Sequence, residues 1–383
     1  MTPSAKAGSP LAATTMARIA VLSTTTYSTP ALAYGGETSF FHLAKGLCEL
    51  GHDVTLYGAP GSLPPHENCR CRLKYIPGTY SEMSYAREWL IAEWHYQEIM
   101  ANDYVLDCSL NHPVAEWAGW YGPPEHQRKT VVVLNGTTSH VPRCGLFNTV
   151  VGSNKWKELL LYGRTQFYST PYEQTYGGSI EPVPEEAFLG VVPFWTDVNF
   201  YTPGDTKDDY LLFLSRPTAY KGLTQALELV AERKLHLKIV PGLGHASHTV
   251  ELEQHRPQIE AAIARGAKVD VVSIPQNSQH HILKRELYRK ARALLAPFQS
   301  HEPFGLVLIE ALACGTPVIC SRMGAFPEII KQGETGYLCR TKAEYLEAID
   351  HLGDLPAGAP RGDAESRWHY LRAATDYMKL LEK

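Results

Sequence analysis

Short apolar runs alternate with longer amphipathic runs along most of the chain. Representative apolar runs are those at 17–23, 53–58, 130–135, 210–215 and 317–321. Runs of this length without polar alternation are typical of strands buried on both faces of a parallel sheet, and the amphipathic stretches between them are typical of helices. The pattern therefore predicts an α/β protein built on parallel sheets.

The alternation of strand and helix patterns occurs twice, which predicts two domains. The segment between the two sets, GVVPFWTDVNFYTPGD at 190–205, is rich in proline and aromatic residues and reads as a connection. We therefore expect a first domain at 17–190 and a second at 191–363. The last segment, 364–383, has an apolar stripe at helical spacing and predicts one helix.

Residues 1–16 precede the first apolar run and contain no continuous apolar stretch of the kind found in a secretory signal. We expect a disordered extension, with Met16 as an alternative start of the natural chain.

The composition of the chain argues against several classes of binding partner. A chain of 383 residues that is 44% hydrophobic can bury a sizeable core, and a net charge of -4 gives no general attraction to nucleic acid. No apolar run approaches the roughly 18 to 20 residues needed to span a membrane. The cysteines are scattered without metal-ligand spacing, so reduced thiols and a cytoplasmic location are expected.

The segment HEPFGLVLIEALACGTPVICSRMGAFPEII, residues 301–330, carries the strongest chemical signal. A helix beginning near Pro303 or Phe304 would offer free amides and a positive dipole end to an anion such as a phosphate. Glu302 lies at that start and Glu310 about two turns further along, up to roughly 12 Å away. A glycosidase pair is separated by about 5 to 9.5 Å, so two contacts along one elongated ligand fit better. The alternative is an amphipathic helix with two solvated glutamates.

Two cations follow the first strand pattern of the second domain. Arg216 comes directly after Ser215 at the strand end, and Lys221 opens the next helix. Cations on such a turn can clamp a diphosphate and neutralise the charge on a leaving group, although solvated surface charges are the alternative.

In the first domain, Gly35 and Gly36 stand just before a predicted helix, where they permit close approach of the backbone to a phosphate, or form an ordinary turn. His112 follows the run at 105–110, at the edge where α/β sheets bind ligands, and is a candidate ligand contact or a structural histidine. Trp117 is a candidate for stacking on a sugar, with core packing as the alternative.

Two other positions complete the candidates. Asn135 ends the run TVVVLN, and it can form hydrogen bonds but cannot titrate. His280 and His281 follow the run at 269–274 and are expected to be exposed to solvent.

The motifs EPFG, A-x-G-T-P-V and PEII within 301–330 together resemble the donor-site signature of the retaining glycosyltransferases of family four. That resemblance implies the GT-B fold, in which two Rossmann-like domains face a central cleft, and a C-terminal helix that crosses back onto the first domain. It is strong only at 211–222 and 298–337. Two positions depart from the family pattern, because Ser215 replaces a more usual glycine and Asn135 stands where many relatives have a histidine.

The resemblance also implies roles for single residues. The catalytic groups would be Arg216, Lys221, Glu302 and His112, the donor would contact Gly35, Gly36, Ser215, Phe304, Gly305, Leu306 and Glu310, and the weaker acceptor contacts would be Asn135 and Trp117.

The implied activity is transfer of a sugar from a UDP- or GDP-linked donor to an acceptor hydroxyl, with retention of anomeric configuration. No cofactor is implied, and no metal, since no Asp-x-Asp sequence occurs. The acceptor stays unknown, and peripheral membrane contact is expected only if it is a lipid. A GT-B epimerase or phosphorylase, or an inactive nucleotide-sugar-binding protein, remains an alternative.

Overall fold

The computed structural model describes residues 15–23, 35–59, 61–62, 71–75, 86–134, 142, 144–163, 181–242, 246–275 and 279–383. Asn135 lies outside these residues, as do the segment 1–14 and the loop 24–34 that precedes the glycine pair.

The first half forms a parallel sheet with the strand order β3-β2-β1-β4-β5-β6-β7. Its strands are β1 Arg18–Leu22, β2 Asp53–Gly58, β3 Cys71–Tyr75, β4 Tyr104–Asp107, β5 Thr130–Leu134, β6 Thr149–Val151 and β7 Phe188–Val191. Its helices are α1 Gly35–Glu49, α2 Ala86–Ile99, α3 Pro113–Trp120, α4 Pro124–Lys129 and α5 Asn154–Leu161, and a short 3₁₀ helix spans Glu185–Ala187.

The second half forms a parallel sheet with the order β10-β9-β8-β11-β12-β13. Its strands are β8 Leu211–Ser215, β9 His236–Pro241, β10 Lys268–Val271, β11 Ala293–Ala296, β12 Val318–Ser321 and β13 Gly336–Cys339. The helices that follow β8 are α6 Leu223–Arg233, α7 Ala246–Gln254, α8 Arg256–Ala264, α9 His280–Lys290, α10 Leu306–Ala313, α11 Phe326–Ile329, α12 Lys342–Asp350, α13 Ala359–Arg367 and α14 Tyr370–Leu381. Short 3₁₀ helices span Ala219–Lys221 and Leu352–Asp354.

The α/β architecture with parallel sheets predicted from the apolar runs is confirmed. Every strand pair within both sheets is parallel. The interior strands β5, β11 and β12 are wholly buried, which explains their almost entirely apolar sequences. No helix among the described residues is long and apolar enough to cross a membrane.

Strand order determines where a ligand can enter each sheet. In the first sheet, β2 and β4 lie on opposite sides of β1, and in the second, β9 and β11 lie on opposite sides of β8. In open parallel sheets the crevice for ligands opens beyond the carboxyl ends of the strands where the order reverses. The loops after β4, β8 and β11 therefore lie at these crevices, and they carry His112, Arg216 and Glu302.

The two units touch through the loops at the carboxyl ends of their strands. Ser153 follows β6 and donates its hydroxyl to the carbonyl oxygen of Pro303 at 2.6 Å. Glu328 of α11 accepts hydrogen bonds from the amides of Asn154 and Lys155, at 2.9 and 2.8 Å. A carboxylate from the second unit thus satisfies the free amides and positive dipole end of α5 in the first.

The end of the chain returns to the first unit, but the single helix expected at 364–383 is wrong. The chain leaves α13 after Arg367 and begins α14 at Tyr370. The amide of Thr196, in the connection between the units, donates to the carbonyl oxygen of Trp368 at 2.8 Å, and the side chain of His369 caps α14. The break occurs because Trp368 and His369 pair with the connection rather than continuing a helix.

α14 packs closely against α1. A Cβ on Gly46 would lie 2.9 Å from the Cβ of Ala374, and Tyr377 meets Trp195 edge to face with ring centroids 6.0 Å apart. The indole nitrogen of Trp195 donates to the carbonyl oxygen of Ser39 in α1 at 3.0 Å. Small residues at the crossing therefore let the two helices approach.

We predict that Ala374→Leu lowers the free energy of unfolding by about 1 to 3 kcal/mol, because the larger side chain has no space opposite Gly46. Urea unfolding followed by circular dichroism measures the loss. Lys379→Leu places the same side chain on the exposed face of α14 and should change stability by less than about 0.5 kcal/mol. Equal effects of the two substitutions would show that this crossing is not tightly packed.

Candidate functional site

The turn after β8 is pressed against the loop after β11. Gly222 has φ 75° and ψ 31°, and a Cβ at this position would lie 2.0 Å from the carbonyl oxygen of Pro297. The amide of Gln299 donates to the carbonyl oxygen of Tyr220 at 2.7 Å. Only glycine permits this contact, which brings Lys221 beside the loop that begins the 301–330 segment.

Lys221 and Glu302 form a buried ion pair at the centre of the site. Burial lowers the pKa of the Lys221 ammonium, while the charge and hydrogen bond of Glu302 act in the opposite direction. The Lys221 nitrogen also lies 4.3 Å from the ring centroid of Phe298 and 5.5 Å from that of Tyr220. The structure thus brings together two of the predicted catalytic residues, and it pairs them with each other.

Arg216 lies at the rim of the same turn and is exposed to solvent. Its guanidinium donates to the hydroxyl of Tyr220 at 2.7 Å. Ser215 is the last residue of β8, and its carbonyl oxygen accepts from the amide of Gly242 at 3.2 Å. A second cation is therefore available to an anion that approaches Lys221 from solvent.

The backbone of Glu302 is held by the turn after β12. The amide of Ala325 donates to the Glu302 carbonyl oxygen at 3.1 Å, and the amide of Gly324 donates to Nδ1 of His301 at 2.9 Å. Gly324 has φ 55°, and a Cβ there would lie 2.5 Å from the nitrogen of Glu302. Neither His301 nor Gly324 was predicted, since a turn glycine has no sequence signal that identifies its distant partner.

The helix expected to begin at Pro303 or Phe304 begins instead at Leu306, so that expectation is wrong by two or three residues. Gly305 has φ 131°, outside the helical region, and ends the preceding loop. Phe304 is buried, with ring centroids 5.5 Å from Phe194 and 5.6 Å from Trp368. Phe304 therefore anchors the loop to the connection between the units, and the free amides of the helix belong to the residues after it.

Glu310 lies inside α10 and both of its carboxylate oxygens are occupied. Lys284 of α9 donates to one oxygen at 2.9 Å and lies 2.7 Å from the other, which accepts from the hydroxyl of Tyr288 at 2.9 Å. Burial raises the pKa of Tyr288 well above its ordinary value, as do the charge and hydrogen bond of Glu310, so the hydroxyl stays a donor. Glu310 is 8% exposed, which leaves a narrow face for a ligand.

The partners of Glu310 could have been found in the sequence. Lys284 and Tyr288 are spaced i, i+4 in HHILKRELYRK and so share one face of a helix. Their spacing alone does not show that this face meets α10.

His112 lies at the start of α3 and is buried, with 3% of its surface exposed. Its Nδ1 lies 3.1 Å from the carbonyl oxygen of Asp107. The strand expected at 105–110 ends at Asp107, because the chain turns there and the carboxylate accepts from the amide of Ser109 at 3.3 Å. Among the described residues, the hydrogen-bond partner of the His112 ring lies in the first unit.

The other first-domain candidates are placed as follows. Gly35 and Gly36 are the first residues of α1 rather than a turn before it. Trp117 packs against the rings of Tyr96 and Tyr121, with centroids 6.2 and 5.6 Å away, and is partly buried. Its described ring contacts join it to the helices of the first unit.

The expectation that His280 is exposed is wrong. It is 5% exposed at the start of α9, and burial lowers its pKa to about 4, with the neighbouring charge of Lys284 acting in the same direction. Burial lowers the pKa of His42 in α1 to about 4 as well. Among the described residues, no group of His, Cys, Asp or Glu side chains has the arrangement of a metal site.

These groups together suit an elongated, doubly charged ligand. Lys221, Arg216 and the start of α10 offer positive charge and amides, while Glu302 and Glu310 offer carboxylates on either side. Carboxylates accept hydrogen bonds from hydroxyl groups, and cations with helix amides bind phosphates. A molecule with hydroxyls at both ends and a diphosphate in the middle meets both requirements.

Most of the second unit matches a known protein family. Residues 199–360 match the family model described as glycosyl transferases group 1. The D-inositol 3-phosphate glycosyltransferase of Mycobacterium tuberculosis is 40% identical over 112 residues, which is 29% of this chain and 22% of the relative. The protein of the same name from Mycobacterium bovis matches to the same extent. The match thus spans about a fifth of the length of these relatives.

Comparison with solved structures covers nearly the whole chain. A glycosyltransferase involved in avilamycin A biosynthesis superposes with a TM-score of 0.63 at 20% identity, over 96% of this chain and 97% of the other. The sucrose-phosphate synthase of Thermosynechococcus elongatus gives 0.67 at 17%, over 96% and 98%. The Anabaena protein HepE in complex with UDP and glucose gives 0.68 at 14%, over 96% and 100%. Identities this low show the fold alone, and the GT-B fold is confirmed.

We predict that Gly222→Ala lowers the free energy of unfolding by more than about 3 kcal/mol, because it adds a clash with Pro297 to the strain of positive φ. Gly333→Ala isolates the second effect, since Gly333 has φ 72° with nothing within 4 Å of a Cβ, and should cost about 1 to 2 kcal/mol. Urea midpoints of both variants measure the difference. A loss at Gly222 no larger than at Gly333 would contradict the close approach of the two loops.

Proposed function

We propose that the whole chain transfers a sugar from a nucleoside diphosphate sugar to an acceptor hydroxyl, since residues 199–360 match the family model described as glycosyl transferases group 1. The observation that carries the proposal is a pair of buried ion pairs within the matched segment, Lys221 with Glu302 just before α10 and Lys284 with Glu310 inside it. The confirmed GT-B fold supplies the cleft between two units in which such a transfer takes place.

The donor would lie along α10. Glu310 would accept hydrogen bonds from the ribose hydroxyls, since its carboxylate is held in one orientation by Lys284 and Tyr288. The diphosphate would meet the amides at the start of α10, where Gly305 and Leu306 leave the backbone without helical partners. Gly35 and Gly36, as the first turn of α1, would approach the donor from the first unit.

Lys221 and Arg216 would neutralise the diphosphate as it leaves. Lys221 already lies in place against Phe298 and Glu302, so little rearrangement is needed when negative charge develops. Arg216, at the solvent-exposed rim, would bind the phosphates on the side away from Lys221. We propose that these cations and the helix dipole supply the positive charge that the reaction requires, without a metal ion.

Glu302 would bind hydroxyls of the transferred sugar, and His112 would contact the sugar or the acceptor from the first unit. We propose transfer with retention by attack on the same face from which the diphosphate leaves. The bond from the anomeric carbon to the phosphate oxygen breaks, and its electron pair stays on that oxygen. The acceptor oxygen bonds to the anomeric carbon, and its proton passes to the departing phosphate oxygen. The products are a nucleoside diphosphate and a glycoside of unchanged anomeric configuration.

The proposal is tested first on the donor. The purified chain is screened by thermal shift against UDP- and GDP-linked sugars, because a ligand that binds only the folded protein raises its apparent stability. UDP-glucose is the first member of the panel, since a structural neighbour, HepE, was solved in complex with UDP-glucose. Release of the nucleoside diphosphate with a library of hydroxyl acceptors is then measured with and without EDTA. A donor that binds and is transferred in EDTA supports the proposal, and absence of binding by every donor overturns it.

We predict that substitutions at Glu310 and at Lys221 change different kinetic constants. Glu310→Gln should raise the KM for the donor about 10-fold or more with little loss of kcat, because a charged hydrogen-bond acceptor for the ribose is lost. Lys221→Met should lower kcat about 100-fold, because stabilisation of the leaving diphosphate is lost. The exposed Glu334→Gln and Lys342→Met are matched controls. Wild-type kinetics in either site variant would remove that residue from the assignment.

A further inference from the structure

His112 has a backbone conformation that is uncommon for a residue other than glycine. Its φ of 47° and ψ of 49° lie in the left-handed region, and it is followed by Pro113. A side chain with a Cβ is strained there, so such a residue persists only where its surroundings impose the conformation. Two buried acids hold the loop that ends at His112: Asp107 contacts His112 itself, and Glu88 contacts the two residues before it.

Asp107 holds His112 from the end of β4. It is fully buried, and its carboxylate accepts from the hydroxyl of Ser109 at 2.5 Å and from the amide of Ala115 at 3.0 Å. Nδ1 of His112 lies 3.1 Å from its carbonyl oxygen and 3.7 Å from its carboxylate. Burial by itself raises the pKa of Asp107, but the hydrogen bonds from His112, Ser109 and the Ala115 amide outweigh it, so the pKa is lowered and the carboxyl stays ionised.

Glu88 holds the loop just before His112 from the opposite side. It projects from α2 and is 2% exposed. Its carboxylate accepts from the amide of Leu110 at 3.1 Å, from the amide of Asn111 at 2.8 Å and from the Asn111 side chain at 2.9 Å. The loop between β4 and α3 is therefore fixed at both ends by carboxylates.

Capping of α3 alone does not account for this arrangement. A serine or threonine at the cap position would satisfy the helix amides without burying two acids, which is costly without cationic partners. The described ion pairs give neither Glu88 nor Asp107 a lysine or arginine partner. The two acids instead fix the loop that positions the His112 ring.

The contact with Asp107 also determines which ring nitrogen carries the proton. A carbonyl oxygen only accepts hydrogen bonds, so Nδ1 of His112 is the donor. In the neutral ring Nε2 is then the unprotonated nitrogen, and no hydrogen bond among the described residues engages it. An unprotonated Nε2 accepts a hydrogen bond from a hydroxyl group.

We propose that Glu88 and Asp107 are positioning residues that hold His112 as its Nδ1–H tautomer, with Nε2 presented to a hydroxyl of the sugar or acceptor. The proposal rests on the glycosyl transfer proposed above. It adds that the first unit recognises a hydroxyl through a histidine whose tautomer and orientation are set by buried carboxylates.

Nitrogen-15 NMR tests the tautomer without any substrate. The histidine signals are assigned by comparison with His112→Ala, and we expect the neutral His112 ring of wild type to show protonated Nδ1 and unprotonated Nε2. Glu88→Gln should shift this signature toward a mixture of tautomers, because the loop is no longer held. Glu93→Gln, an exposed position on the same helix α2, should leave it unchanged. A protonated Nε2 in wild type, or an unaltered signature in Glu88→Gln, overturns the proposal.

Kinetics test the role in transfer. Glu88→Gln should lower kcat about 10- to 100-fold, because a small displacement of a reacting group is costly, while the KM for the donor changes less than about twofold. In a His112→Ala background, Glu88→Gln should have no further effect on kcat. An equal loss in both backgrounds, or wild-type kcat in His112→Ala, overturns the proposal. Asp107→Asn should lower kcat to a similar extent as Glu88→Gln and should likewise have no further effect in the His112→Ala background.

Failure of the two proposals is distinguishable. If no donor is transferred by the wild-type protein, the proposed function fails, and the nitrogen-15 signature alone decides whether the acids set the tautomer. If transfer occurs and His112→Ala is fully active, the function stands and the positioning role is overturned.

Discussion

The ion pair between Lys221 and Glu302 determines the geometry of the site. Taking two charges out of water is costly, and a buried pair persists only when its geometry is good and its neighbours complete the hydrogen bonds. Gly222 and Gly324 bring the loops of the pair together by allowing backbone contacts that a Cβ would block. Removal of one charge would leave the other buried and uncompensated, at about 3 to 5 kcal/mol. The arrangement also keeps a cation desolvated where we propose that a diphosphate departs.

The loop that carries Glu302 is also where the two units meet. Ser153 bonds the carbonyl of Pro303, Phe304 packs against Phe194, and Glu328 caps α5. Pro303 and Phe304 lie within three residues of Leu306, the first residue of α10, whereas Glu328 lies in α11. A change in the relative position of the units would therefore move the residues at the start of α10. This gives a physical basis for coupling domain closure to donor binding.

Much of the fold could be predicted from apolar runs, and the omissions share a cause. Most strands found from sequence lie inside their sheets, such as β8, whose residues are nearly all apolar, and the edge strand β10 is the exception. The strands that were not predicted, β3, β7 and β13, are edge strands of their sheets. Their sequences CRLKY, FLGV and GYLC are short, and include charged residues or glycine. An edge strand has a neighbouring strand on one side only and is less buried, so its sequence shows a weaker apolar pattern.

The sequence by itself determined the two α/β units, the 301–330 segment and the residue types able to bind a diphosphate sugar, because these depend on local periodicity and on chemistry within a short stretch. The tertiary structure decided how those residues are paired. That Lys221 meets Glu302, that Lys284 and Tyr288 hold Glu310, and that His280 is buried depend on which strand ends become neighbours. Contacts between distant segments follow from strand order and packing, and no local pattern encodes them.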